Sequence, residues 1–110
     1  MRILVCGGRA YNNKAILNTV LAAAEPTLII TGMASGADSL AWAWAKENHI
    51  PTKEYPAKWE LFGKSAGFKR NQQMLDEGKP DLVIAFPGGN GTAHMIRIAK
   101  ATNIPVTIIG

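Results

Sequence analysis

The sequence predicts an α/β fold: a three-layer sandwich with a five-stranded, mainly parallel sheet and helices on both faces. Three observations predict it. Five short apolar runs recur along the 110 residues, separated by segments of helical periodicity. A proline stands just before four of those runs, where a preceding helix has to stop. Glycine clusters follow the first, second and fourth runs, at the ends from which crossovers would leave. Strands that alternate with helices imply right-handed βαβ crossovers and therefore parallel pairing.

The first run, Ile3–Cys6, ends in Gly7-Gly8-Arg9 and is followed by a helical pattern over Asn13–Ala24. After Pro26 comes the second run, Thr27–Thr31, which ends in Gly32-Met33-Ala34-Ser35-Gly36-Ala37-Asp38. Ser35 is placed to cap the next helix, Ala37–Asn48, and Asp38 falls in or near its first turn, where a carboxylate suits the dipole. Trp42 and Trp44 on that helix are expected to pack it against the sheet or a second copy of the chain. His49 near its end reads as structural.

Pro51 precedes the third run, Thr52–Tyr55, whose polar character marks an edge strand. The other four runs are nearly continuous in Val, Ile and Leu, as strands covered on both faces tend to be. The longest non-repetitive connection follows, Pro56–Lys64, and carries Trp59 and Phe62. An aromatic there either stacks on a base or plugs the loop. A helix is expected over Lys64–Asp76, then Pro80, the fourth run Leu82–Phe86, a glycine loop, a helix over Thr92–Ala101, Pro105 and the fifth run Val106–Ile109.

Composition bounds the function. With 47% hydrophobic and 18% charged residues the chain should fold throughout, and its length fits one domain, residues 1–110. The net charge of +4 is carried by dispersed Lys and Arg rather than by runs, which favours a small anionic ligand over nucleic acid. A single cysteine, Cys6, excludes an intrachain disulfide. It is expected to be a core residue in a reducing compartment. No stretch of about 18 apolar residues is present and the N-terminal run is short for a signal peptide, so the expected location is cytoplasmic. No metal-ligand spacing occurs, so no metal and no cofactor are expected.

The most informative segment is Pro87-Gly88-Gly89-Asn90-Gly91-Thr92, between a strand pattern and a helical one. Its glycines allow close approach to the backbone, and the helix that follows offers unpaired N–H groups and the positive end of its dipole. A phosphate fits there. The spacing matches neither the dinucleotide fingerprint nor the lysine-ended phosphate loop. In an open parallel sheet, ligands bind beyond the carboxyl ends of strands where strand order reverses, and all three glycine clusters open on that edge. The candidate ligand-binding set is therefore Gly8 and Arg9; Gly32, Ser35, Gly36 and Asp38; Lys64, Arg70 and Asn71; and Pro87, Gly88, Gly89, Asn90, Gly91 and Thr92. His94, two residues beyond Thr92, would sit where the helix dipole disfavours its protonation.

Three stretches, Gly32–Asp38, Gly63–Met74 and Pro87–Thr92, resemble in order the motifs of the SLOG superfamily. The superfamily includes DNA-processing protein A (Smf) and the Lonely-Guy phosphoribohydrolases. The closest resemblance is to the small YspA-type branch of bacterial and phage proteins. It spans nearly the whole chain and implies a Rossmann-like sheet that binds a nucleotide or related ligand, with Gly88, Gly89, Gly91 and Thr92 holding phosphate. Arg70 matches the arginine that precedes the fourth strand in the hydrolases. Where they carry a glutamate, three residues after the loop threonine, this chain has Met95, which can neither assist a leaving base nor activate water.

The leading expectation is a binding protein for a nucleotide-derived ligand such as an ADP-ribose relative. The alternative is a nucleoside 5′-monophosphate phosphoribohydrolase with Asp38 as acid/base and Arg70 as anion anchor. DNA binding is the weakest reading, because no basic stripe or recognition helix stands out. A homodimer or homotetramer is expected, with no membrane partner.

Overall fold

The computed structural model describes residues 1–110. Its strands are β1 (Arg2–Cys6), β2 (Leu28–Thr31), β3 (Thr52–Glu54), β4 (Leu82–Ala85) and β5 (Val106–Ile108), and every pairing between neighbours is parallel. The helices are α1 (Lys14–Ala24), α2 (Ala37–Glu47), α3 (Trp59–Phe62), α4 (Ala66–Gly78) and α5 (Asn90–Ala101). A 3-10 turn over Gly63–Ser65 joins α3 to α4. The strand order is β3-β2-β1-β4-β5. The chain thus builds outward from β1 in one direction, then returns past it to build in the other. The reversal falls between β1 and β4.

Period-two alternation sorts the strand residues onto the two faces. Ile3, Val5, Ile29, Ile84 and Phe86 point to the layer of α1 and α2, where they meet Leu17, Leu21 and Trp44. Leu4, Cys6, Ile30, Val83 and Ala85 point to the opposite layer and meet Met74, Leu75, Met95 and Ala99 of α4 and α5. Both faces of the three central strands are dry, which is why those runs read as continuous hydrophobics.

The fifth strand departs from expectation. Although Val106-Thr107-Ile108 is as apolar as an inner strand, β5 is the second sheet edge and Ile108 is 58% exposed. Two further expectations are corrected. Lys64 lies in the 3-10 turn rather than in the helix, which starts at Ala66, and the Pro56–Lys64 connection contains the one-turn helix α3. The tryptophans divide: Trp44 is buried in the core, whereas Trp42 lies at the surface with its Nε1 donating to Glu54 Oε2 at 2.8 Å.

At the reversal the loops after β1, β2 and β4 interlock through backbone. Gly8 N–H donates to Pro87 O at 2.8 Å, and Ala37 N–H donates to Gly8 O at 3.2 Å. Gly36 sits at φ 78° with its α-carbon face against the Gly8 carbonyl, and a Cβ on Gly88 would reach 2.6 Å from Gly8 N and collide with Thr92 Oγ1. Gly36→Ala and Gly88→Ala are each expected to lower the thermal midpoint by about 10 °C or more, through left-handed strain in the first case and displaced loops in both. Differential scanning calorimetry checks this, and unchanged midpoints would mean the loops are not packed this way.

Candidate functional site

A cleft of about 390 Å³ opens at the reversal point, lined by the loops after β1 and β4, by the start of α2 and by one side of α4. The N-termini of α2 and α5, which both meet it, differ. That of α2 is partly satisfied, because Ala37 donates to the Gly8 carbonyl. In α5 the cap residue is Gly89, no side chain caps the helix, and no hydrogen bond reaches the N–H groups of Asn90, Gly91 or Thr92. By contrast, α1 is capped by Asn13, whose Oδ1 accepts from Ile16 N–H at 3.1 Å. The cleft therefore holds three unpaired donors at the positive end of a helix dipole.

Gly89 and Gly91 both line this cleft. Neither has the positive φ that would require glycine, and a Cβ on either would meet nothing within 4 Å. Gly91 also lies inside the helix, where glycine costs about 1 kcal/mol relative to alanine. The protein's own packing therefore does not explain these two residues. The Thr92 hydroxyl beside them makes no side-chain hydrogen bond, although the residue is only 8% exposed.

Three cations, Arg9, Lys64 and Arg70, border the cleft, and one carboxylate, Asp38, lies on its floor at 6% exposure. Burial pushes the Asp38 carboxyl up to about 6; the Ala34 N–H, which donates to its Oδ2 at 3.2 Å, and then Arg70 act in the opposite direction. The carboxylate thus folds back over the loop. Ser35, the expected cap, makes no capping bond to α2. It fails because the left-handed turn at Gly36 intervenes between it and the helix.

Arg70 and Asn71 join the loops to one another. Arg70 Nη1 donates to Gly32 O at 2.6 Å and contacts Tyr55 O at 3.5 Å, while its Nε donates to Asn71 Oδ1 at 3.2 Å. Asn71 Nδ2 in turn donates to Gly91 O at 3.0 Å and lies 3.2 Å from His94 Nδ1. His94 accepts there and stacks on Phe68, with burial and then Arg97 holding its pKa below the ordinary value. The amide of Asn71 is fully engaged, whereas Nη2 of Arg70 makes none of these bonds.

Other candidates separate by position. Gly32 and Ser35 border a second cavity of about 330 Å³ beside the first. Gly36, Pro87 and Gly88 line neither cavity and serve the backbone interlock. Residues outside the candidate set also reach the cleft: Trp59, Phe68 and Cys6. Trp59 faces it and carries the Arg9 guanidinium at 5.2 Å from its ring centroid, while Phe62 turns away under Lys69. Only the phase of α3 separates the two aromatics. Burial, with the Asp38 charge adding to it, pushes the Cys6 thiol up to about 12, so it is no nucleophile at neutral pH. Met95 is fully buried between α5 and the sheet and does not line the cleft.

The family profile of the YspA, cpYpsA-related SLOG family (YAcAr) matches residues 1–62, the part that holds the loops after β1 and β2. The chain is also similar to the Gene 61 protein of Mycobacterium phage D29, at 33% identity over 121 aligned positions that cover 99% of this chain and 96% of that protein. This second similarity takes in the loop after β4 as well.

Proposed function

Since the chain belongs to the YspA, cpYpsA-related SLOG family, we propose that residues 1–110 form one domain that binds a nucleotide or nucleotide-derived ligand, with a phosphate on the N-terminus of α5. The observation that carries this reading is the uncapped helix end behind Gly89 and Gly91. Three free N–H groups and two glycines without a packing role suit an anion that approaches the backbone closely. Arg9 and Lys64 add exposed charge at the rim. Arg70 serves first as a brace that holds the β2 loop, with Nη2 left for the ligand. Asn71 fixes the carbonyl of Gly91, and through it the direction of the α5 terminus.

Isothermal titration of ligand-free protein with nucleoside mono- and diphosphates tests the reading. Micromolar binding that weakens with salt is expected, and no binding across the panel would overturn it.

One observation favours a second reading, hydrolysis of an N-glycosidic bond. A carboxyl with a pKa of about 6 beside an arginine is suited to donate and accept protons near neutral pH. In that case free base and ribose 5-phosphate appear from a nucleoside monophosphate, and Asp38→Asn abolishes their release. Absence of turnover across purine and pyrimidine monophosphates would remove it. The buried Met95 at the position of the hydrolase glutamate favours binding over hydrolysis.

The expected partners follow the same reading: a small anionic molecule and a second copy of the chain. With Trp44 in the core, Trp42 alone of the pair is left to such a contact. No helix is long and apolar enough to cross a membrane.

A further inference from the structure

The apolar and basic side chains that a ligand in the cleft leaves unused gather in one place. Seven large hydrophobic residues are exposed in the structure, and four of them, Trp59, Leu61, Phe62 and Phe68, belong to α3 and the start of α4. Residues 58–70 also hold Lys58, Lys64, Lys69 and Arg70 against the single carboxylate of Glu60, which is most of the excess behind the net charge of +4. None of the three lysines is in an ion pair; the two pairs of the chain are Lys14 with Glu47 and Lys46 with Glu54. Exposed apolar side chains that cluster within a rim of charge mark a surface that a partner covers.

Trp59 and Phe68 line the cleft at the strand reversal, but Leu61 and Phe62 do not. Phe62 borders a separate groove of about 270 Å³ between the connection after β3 and α4. Ala66 is its buried floor, Pro56 and Phe62 are its apolar sides, and Lys58 and Lys69 stand exposed at its rim. Of the groove's residues only Arg70 also lines the cleft. Leu61, 69% exposed, is next to Phe62 in the single turn of α3.

Nucleic acid, anionic lipid and acidic polypeptide all carry the charge to meet this face. Single-stranded nucleic acid stacks its bases on open rings. Here Arg9 lies over Trp59, Lys69 over Phe62 and His94 against Phe68, and Leu61, the most exposed of the four, has no ring to offer. A lipid surface is met by an amphipathic helix with a wide apolar face, whereas α3 has four residues. A groove that seats an apolar side chain between two lysines is the complement of a peptide whose aromatic or aliphatic anchor is flanked by carboxylates.

We propose that the face built by α3 and the start of α4 docks an acidic segment of another protein, with an apolar anchor in the groove between Lys58 and Lys69 and a neighbouring apolar residue on Leu61. Docking there does not require a ligand in the cleft.

A library of random peptides of about twelve residues, displayed on yeast and sorted against the purified full chain, tests this. Enriched peptides are expected to carry Phe, Trp or Leu with Asp or Glu on both sides. The synthetic peptide of that consensus should bind wild type, read by fluorescence polarisation, with a Kd on the order of tens of micromolar that weakens as salt is raised. Lys58→Glu combined with Lys69→Glu should weaken it by about tenfold or more, and Leu61→Ser by about fivefold, with melting curves like that of wild type because all three side chains are exposed. No enrichment, a consensus without acidic residues, or a consensus peptide indifferent to these variants would overturn the docking face. So would tighter binding, through the same lysines, of a thymidine oligonucleotide or of vesicles containing phosphatidylserine, which would give the face to nucleic acid or to lipid.

Discussion

Gly91→Glu is expected to strengthen the fold and destroy ligand binding in a single substitution. The position is helical, in the first turn of α5, and a Cβ there meets open space. Replacing glycine by a better helix former and placing a carboxylate at the positive end of the dipole should together add about 1 kcal/mol. For a domain of this size that raises the thermal midpoint by about 5 °C. The same carboxylate would occupy the space assigned to phosphate. At about 4 Å near a surface, two like charges repel by about 4 kcal/mol, so nucleotide affinity should fall by about 100-fold or more. Gly91→Gln supplies the control, since it shares the bulk and the helix-propensity part of the stabilisation but not the charge or its interaction with the dipole. A melting curve and a titration on each variant check both halves. Retained affinity in Gly91→Glu would remove the α5 terminus from the site.

The second large effect concerns Asp38. Its pKa is raised from 3.8 to about 6, so the folded protein holds this proton more tightly than the unfolded chain does. The sign follows: below pH 4 the group costs nothing, the penalty accrues as pH rises from about 4 to about 6, and it is complete above that. Near pH 7.5 the penalty is on the order of 2–3 kcal/mol. Asp38→Asn cannot ionise and keeps an oxygen to accept the Ala34 N–H. It is therefore expected to raise the thermal midpoint at pH 7.5 by about 10 °C and leave it nearly unchanged at pH 4. An equal gain at both pH values would mean that the carboxylate carries no such penalty. A buried acid that destabilises the resting fold fits a role toward something other than the fold.

The architecture could be read in the chain because its determinants are local. Ile3 and Val5 against Leu4 and Cys6 declare a strand covered on both sides, and Pro26, Pro51, Pro80 and Pro105 mark where helices must yield to strands. The polar Thr52-Lys53-Glu54 declared the β3 edge for the same reason. The opposite edge gave no such sign. Val106-Thr107-Ile108 is apolar whether it lies inside or outside the sheet, and its place depends on strand order, which no local pattern encodes.

The candidate site divides in the same way. The glycine loops were visible as composition, and their meeting at the β1–β4 reversal follows from topology. What could not be read was the division of labour among their residues. Gly36 and Gly88 serve contacts between loops that lie far apart in sequence, whereas Gly89 and Gly91 face open space. Ser35 looked like a cap because its distance from the helix was right, but the turn at Gly36 removed it. That Trp59 reaches the cleft and Phe62 does not was illegible because α3 is a single turn, too short for periodicity to reveal its phase. Asn71 was legible only as a neighbour of Arg70. Its link to Gly91 spans 20 positions and belongs to the packing of α4 against α5.

The measurement to make is a 1H–15N correlation titration of the ligand-free protein with AMP and GMP. The amide resonances of Asn90, Gly91 and Thr92 should move first and furthest, because these N–H groups exchange no protein acceptor for phosphate oxygen, and the Ile16 amide at the capped start of α1 should stay still. Saturable shifts centred elsewhere, or none at millimolar nucleotide, would contradict phosphate binding at the α5 terminus.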